Sequence, residues 1–365
     1  MARVSERLRS VRLRLTREWE AGGAPAAARA LAGGYRGLLH ARQWLYDRQV
    51  LKSRALPCPV VSIGNLTVGG TGKTPAVEHA VRALVDLGAR PAVVSRGYGR
   101  RSKDVQVVAD GRRVLLDARA AGDEPCLLAR RLAGVPVLVG ANRYEAGRLA
   151  VSRFHATAIV LDDGFQHRSV AKDLEIVLVR ATNPWGNGCL FPAGPLREPV
   201  DALARADLIV VSGGPDADAI ERVTTVARSV APGVPVVAAD HEPVECREAR
   251  AGTREPAASL GGKRLLAFAG IAWPEGFRRT LDGLGVALAG LEAFPDHFWY
   301  GAEDLERLAA RAAAAGAEGL VTTEKDWMRL EGLALPAPPL YVLGVRFVLR
   351  TGEDTLRALL RRALR

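Results

Sequence analysis

No run of 18 apolar residues occurs in the sequence, which excludes a helix that spans a bilayer. The N-terminus lacks the apolar core of a secretion signal. Cysteine is scarce: Cys58, Cys126, Cys189 and Cys246 stand far apart and form no C-x-x-C pair. That argues against a disulfide framework or a zinc site and suits a reducing compartment. Internal repeats and long low-complexity tracts are also missing, and the Ala-rich stretch at 309–317 is simply a good helix former. What is present is 365 residues, 48% apolar and 25% charged, the composition of an ordinary globular protein long enough for two cores.

Charge is unevenly placed. Residues 1–54 hold 12 Arg/Lys against 4 acids, a net of +8 out of the chain's +11. Leu31, Tyr35, Leu38, Leu39, Leu45 and Tyr46 recur there at helical spacing, with Trp44 beside them and Arg36, Arg42 and Arg48 interleaved. A basic amphipathic helix of this kind suits an anionic membrane surface. Its alternatives are packing on the protein's own core with a solvated basic face, or a nucleic-acid contact.

From residue 58 the pattern alternates between continuous apolar strands and helices, which predicts an α/β fold. The reading is a P-loop NTPase-like, mostly parallel sheet with helices on both faces, plus a smaller α/β C-terminal domain. The expected division is a basic segment at 1–54, an α/β core at 55–242 and the smaller domain at 243–365. Residues 240–262 read as an irregular crossing between them, rich in Pro and Gly. A short hairpin is expected across Gly111, and 319–326 reads as a strand with a polar end.

VVSIGNLTVGGTGKTP, residues 60–75, runs from an apolar strand through glycines to Gly72-Lys73-Thr74 and a helix-forming segment. That is the layout of a loop whose backbone N–H groups cradle phosphates. Thr67, Val68, Gly69, Gly70, Thr71 and Gly72 would wrap a nucleoside triphosphate. Lys73 would neutralise it and the Thr74 hydroxyl would hold Mg²⁺. The first glycine of the usual pattern is missing, since Thr67 stands in its place. The deviant loop of partitioning ATPases does not fit either, because Val68 stands where its signature lysine would be.

AIVLDDGFQHR, residues 158–168, ends an apolar strand in Asp162 and Asp163, the Walker-B arrangement for Mg²⁺, with Gln166 and His167 close behind. Asp123 and Glu124 precede Pro125; Asp123 either caps a helix or points a carboxylate at the cleft. Residues 183–199 form a long loop of turn residues ending in Arg197 and Glu198. FPDHFWYGAEDL at 294–305 groups aromatics around Asp296-His297, where His297 could pair with a carboxylate.

Together SIGNLTVGGTGKTP, GDEP (122–125), LDDGFQHR, NPWGNGCLFPAGPLRE, FPDHF and TTEKD resemble the tetraacyldisaccharide 4′-kinase (lipid A 4′-kinase) family. They occur in the family's order over roughly residues 50–330, and that family's loop also lacks the first glycine. The resemblance implies transfer of phosphate from ATP, with Mg²⁺, to the 4′-hydroxyl of a tetraacylated glucosamine disaccharide 1-phosphate. It also implies peripheral attachment to the cytoplasmic face of the bacterial inner membrane. No nucleic-acid partner and no obligate protein partner are expected. By position, Asp123 and His297 would deprotonate the acceptor, and Lys73 and Arg197 would serve the transferred phosphate. Asp162, Asp163, Gln166, His167, Glu198 and, beside Asp123, Glu124 would serve metal and phosphates. One departure stands out: Ala272-Trp273 replaces the Gly-Asn usual in the small domain. Two rivals share the loop: a soluble phosphate-loop kinase of a small metabolite, and a non-kinase membrane-associated ATPase.

Overall fold

In the computed structural model, Trp19 and residues 23–365 are described, except Arg101, Pro215 and Pro336. Much of the basic N-terminal segment, including Arg3 to Arg17, lies outside the described residues. The strands are β1 (Val60–Asn65), β2 (Pro91–Ser95), β3 (Gln106–Asp110), β4 (Pro136–Val139), β5 (Ala158–Asp162), β6 (Leu174–Arg180) and β7 (Leu208–Ser212). They continue with β8 (Val236–Glu248), β9 (Arg254–Pro256), β10 (Arg264–Ala269), β11 (Ala287–Ala293), β12 (Gly319–Thr323) and β13 (Leu340–Leu349).

Among the described residues these strands form one continuous sheet, in the order β11-β10-β12-β13-β8-β7-β6-β1-β5-β2-β4-β3, with β9 beside β8. Pairing is parallel except at β3–β4, β8–β13 and β8–β9. The central strands are buried on both faces, as a parallel sheet between helices requires. In β1, Val61 and Ile63 pack with Val77, Ala80, Val81 and Leu84 of the Lys73–Asp86 helix. Val60 faces the opposite way, onto Ala146 and Ala150 of the Arg143–Phe154 helix.

Several elements depart from the sequence expectation. Residues 236–248, read partly as irregular, are the 13-residue strand β8, which runs antiparallel to β13 along its length. The boundary drawn at 242/243 therefore falls inside a strand shared by both halves of the sheet. Strand β11 went unread. Val114 makes only an isolated bridge to Ala109, so no second hairpin strand follows Gly111. Strand β12 stops at Thr323, whose side chain caps the Glu324–Leu330 helix.

The basic helix spans Ala26–Asp47. Ala28, Tyr35 and Leu39 lean with buried Ala32 onto a cluster that includes Ala202 and Leu203. Leu31, Leu38 and Trp44 remain exposed at 66%, 70% and 54%. The stripe read from sequence is thus two stripes, one facing the protein and one facing solvent. Among the described residues no helix is long and apolar enough to cross a membrane.

Candidate active site

Strand β1 is fully buried up to Asn65, and the chain then loops into the Lys73–Asp86 helix. Asn65 organises this loop: its Nδ2 donates to the Thr67 carbonyl at 2.9 Å and its Oδ1 accepts from Lys73 Nζ at 3.2 Å. Thr67 lies in an extended bridge to Leu196, and the Val68 N–H donates to the Pro195 carbonyl at 2.7 Å. Extended backbone needs no glycine, which is why Thr67 is tolerated. The positive φ angles fall at Gly69 and Gly72, 116° and 77°.

The acids sit at the end of the neighbouring strand β5. Asp162 is buried, accepts from Ser95 Oγ at 2.9 Å through one oxygen, and has no partner for the other. Burial, then Glu124 and Asp163, push its pKa up to about 7. Asp163, at φ 55°, accepts from Arg197 Nη1 at 3.0 and 2.8 Å and lies 3.5 Å from Lys73 Nζ. Burial would raise its pKa, but Lys73 and Arg197 outweigh it and hold the carboxylate well below the usual range.

Asp123 and His297 come together from opposite halves of the sheet. Asp123 opens the Asp123–Arg131 helix, with Gly122 at the cap position, so it is not the cap itself. Its carboxylate accepts from His297 Nδ1 at 3.1 and 2.9 Å and from Arg329. His297 is held at φ 60°, its N–H donating to the Gly270 carbonyl at 3.1 Å. Lys325 Nζ donates to Glu124 Oε1 at 3.0 Å and to His297 Nε2 at 3.5 Å. The Asp123 carboxylate accepts the Nδ1 proton, while Nε2 lies 3.5 Å from Lys325 Nζ and 3.6 Å from Asp296 Oδ2. Burial would raise the Asp123 pKa, but Lys325, His297 and Arg329 outweigh it and keep the group ionised. The neighbouring aromatics Phe294, Phe298 and Tyr300 stack on one another as core.

These groups surround one cavity of about 1140 Å³, bordered by residues 68–74, Ser95, Glu124, Asp162, Asp163, Gln166, His167, Arg197, His297 and Lys325. Asp123 lies just behind its wall, 4% exposed, so His297 is the member of the pair that faces the cavity. Gln166 Nε2 donates to the Asn65 carbonyl at 2.9 Å. His167 pairs with Ser169 Oγ at 2.9 Å, and burial, then Arg143 and Lys172, push its pKa down to about 4. Glu198 stands apart: it accepts from Arg205 at 2.6 Å and borders a second cavity of about 320 Å³ beneath the Ala26–Asp47 helix. It does not border the large cavity, and its other carboxylate oxygen is buried without a partner.

Thr74 and the unpartnered Asp162 oxygen fit a hard cation such as Mg²⁺, which keeps waters and phosphates as its other ligands. Among the described residues no group of three or more His, Cys, Asp or Glu could hold a metal by itself. Arg329, fully buried between Asp123 and Asp326, was not legible in the sequence. Its only sequence signal is an arginine on the inner side of the helix following TTEKD.

A phosphate loop at the carboxyl end of a parallel strand, with acids on the next strand and a carboxylate–imidazole pair across the cleft, defines a phosphate-loop phosphotransferase. The family model for "Tetraacyldisaccharide-1-P 4'-kinase" matches residues 26–365. The chain belongs to this family. It is 45% identical over 308 residues to tetraacyldisaccharide 4′-kinase of Syntrophus aciditrophicus, covering 81% of this chain and 82% of that one. It is 45% identical to the enzyme of the same name from Anaeromyxobacter sp. (strain K), over 93% of each chain. Among solved structures, "apo" form LpxK from Aquifex aeolicus in complex with ATP superposes with TM-score 0.72 at 30% identity. That match covers 92% of this chain and 98% of the other.

Proposed function

We propose that this chain transfers the γ-phosphoryl group of ATP to the 4′-hydroxyl of a tetraacylated disaccharide 1-phosphate, a step of lipid A synthesis. The observation that carries the reading is the Asp123–His297 pair, assembled from two halves of the molecule beside the phosphate loop.

The acceptor hydroxyl enters on the His297 side and gives its proton to the pair as the oxygen attacks phosphorus. His297 borders the cavity, while Asp123 holds the ring through Nδ1 and would stabilise the imidazolium that forms. Asp123 itself, ionised and held by Arg329, is a weak base. Lys73 and the N–H groups at the start of its helix hold the phosphates of ATP, and Arg197 meets charge developing on the transferred group. Thr74 and Asp162 are the residues that would hold Mg²⁺, which would supply charge neutralisation to the phosphates. Arg197 pairs with Asp163 in this structure, so its move to phosphate would release that carboxylate.

The exposed Leu31, Leu38 and Trp44, with basic residues on the same helix, support docking on an anionic membrane where an acylated acceptor resides. We place the enzyme peripherally on the cytoplasmic face of the inner membrane. The test follows labelled γ-phosphate with the acylated disaccharide, a short sugar alcohol or water as acceptor. Transfer to the acylated disaccharide alone is expected. Preferential transfer to the small sugar would make the protein a metabolite kinase, and release to water alone would make it an ATPase.

A further inference from the structure

The cavity of about 320 Å³ beneath the Ala26–Asp47 helix shares no lining residue with the one that holds Lys73 and His297. Its walls come from that helix, from the turn after β5 and from the segment that follows Arg197. Among its side chains His40 and Asp201 are exposed and Glu198 is 6% exposed, so the cavity runs from the surface inward. Its volume is at the small end for a ligand site.

Both signs of charge line it. One Glu198 oxygen accepts from Arg205 Nη2 at 2.6 Å, while the other is buried without a partner, as is Arg205 Nε. A buried carboxylate oxygen with no donor is costly to keep, so it marks a place for one. Arg168 pairs with Asp47 at 3.3 Å. Arg42 donates through Nη2 to the Gln166 carbonyl at 2.8 Å and has no carboxylate partner among the described residues. Planar N–H forks of this kind match phosphate oxygens. A simple anion here would face Glu198 and Asp201, and a simple cation would face three guanidiniums. A zwitterion whose phosphate and ammonium are joined by two carbons meets both.

A helix lying in a membrane surface sits at the boundary between headgroups and acyl chains. With Leu31, Leu38 and Trp44 on its exposed side, a cavity against its inner side lies within one helix diameter, roughly 10 Å, of that boundary. We propose that this cavity binds the phosphoethanolamine headgroup of a membrane phospholipid, with its phosphate on Arg42 and Arg168 and its ammonium donating to the open Glu198 oxygen. The assignment rests on the membrane reading of the helix and adds a specific lipid to it.

Calorimetry on the full chain compares dihexanoyl lipids kept below their micelle concentration. Wild type should bind phosphatidylethanolamine at least about tenfold more tightly than phosphatidylcholine, whose methylated nitrogen donates no hydrogen bond, or phosphatidylglycerol, which lacks the ammonium. Glu198→Gln, which keeps the shape and the contact to Arg205, should shrink that preference to within about threefold and leave phosphatidylcholine affinity within about twofold. Arg42→Gln should weaken phosphatidylethanolamine and phosphatidylcholine alike, by at least about fivefold. Glycerophosphoethanolamine, which brings no acyl methylenes to the helix, should bind at least about fivefold more weakly than the lipid. Equal affinity for the three lipids, or a preference that survives Glu198→Gln, would overturn the proposal. Equal affinity for the chain-free compound would overturn it in favour of a free metabolite. Absence of binding alongside undiminished vesicle flotation would overturn the site and leave the docking reading intact. Flotation that fails while the headgroup preference holds would count against docking alone.

Discussion

Two adjacent carboxylates, Asp162 and Asp163, are driven in opposite directions by their surroundings. Asp162 is buried beside other acids and rises to about 7, while Asp163 is clamped by Lys73 and Arg197 and falls. An acid whose pKa rises on folding binds its proton more tightly in the folded chain. The stability gained from Asp162 is complete at low pH and is lost as pH climbs from the usual carboxylate range to about 7. Without metal or nucleotide, Asp162→Asn should therefore flatten the fall in melting temperature over that window, as read by thermal unfolding at several pH values. An unchanged slope would mean that another group titrates there. Much of this residue-scale chemistry was legible in advance, because Lys73, Thr74 and the acid pair follow from a strand–loop–helix pattern. Arg329 and the Lys325 contact with His297 were not, since they depend on which side chains meet across the cleft. Nor was the pairing of one Glu198 carboxylate oxygen with Arg205, which sequence position beside Arg197 does not reveal.

At the scale of elements, the phosphate loop is held as much by packing as by its own turns. A Cβ added at Gly72 would lie 2.2 Å from His241 Nε2 on β8, and the left-handed φ of 77° penalises any side chain. Gly72→Ala should therefore cost at least about 1–2 kcal/mol of stability and weaken ATP binding, measured by denaturant unfolding and calorimetry. The Ala26–Asp47 helix makes a separate prediction. Leu31→Glu with Leu38→Glu should release the protein from anionic vesicles in a flotation assay while leaving ATP affinity unchanged. Undiminished vesicle binding would point to another surface. Strand β8 escaped the sequence reading because Pro243 interrupts its pattern. The structure tolerates that proline because β7 pairs only as far as Ala239 and a bulge at Gly344/Val345 faces it. The helix at 26–47 was legible by its periodicity, but which stripe faced inward was decided by the partner surface at Ala202 and Leu203.

Across the whole molecule, the site exists only where the two halves of the sheet meet. Ion pairs Arg329–Asp123, Lys325–Glu124, Arg131–Glu324 and Arg130–Glu331 tie the Asp123–Arg131 helix and its flanks to the Glu324–Leu330 region. Arg329→Met would leave Asp123 buried with fewer counter-charges and should destabilise the fold by about 3–5 kcal/mol in denaturant titration. A loss below about 1 kcal/mol would show that the remaining pairs suffice. The central claim is that Asp123 and His297 act as one base across this junction. Its most direct test is turnover of Asp123→Asn, His297→Ala and the double variant, beside their ATP affinities. Each single change should lower kcat by ~10²–10⁴-fold, the double should be no worse than the poorer single, and ATP affinity should stay within about twofold of wild type. Near-wild-type turnover in Asp123→Asn, or losses that multiply in the double variant, would contradict it.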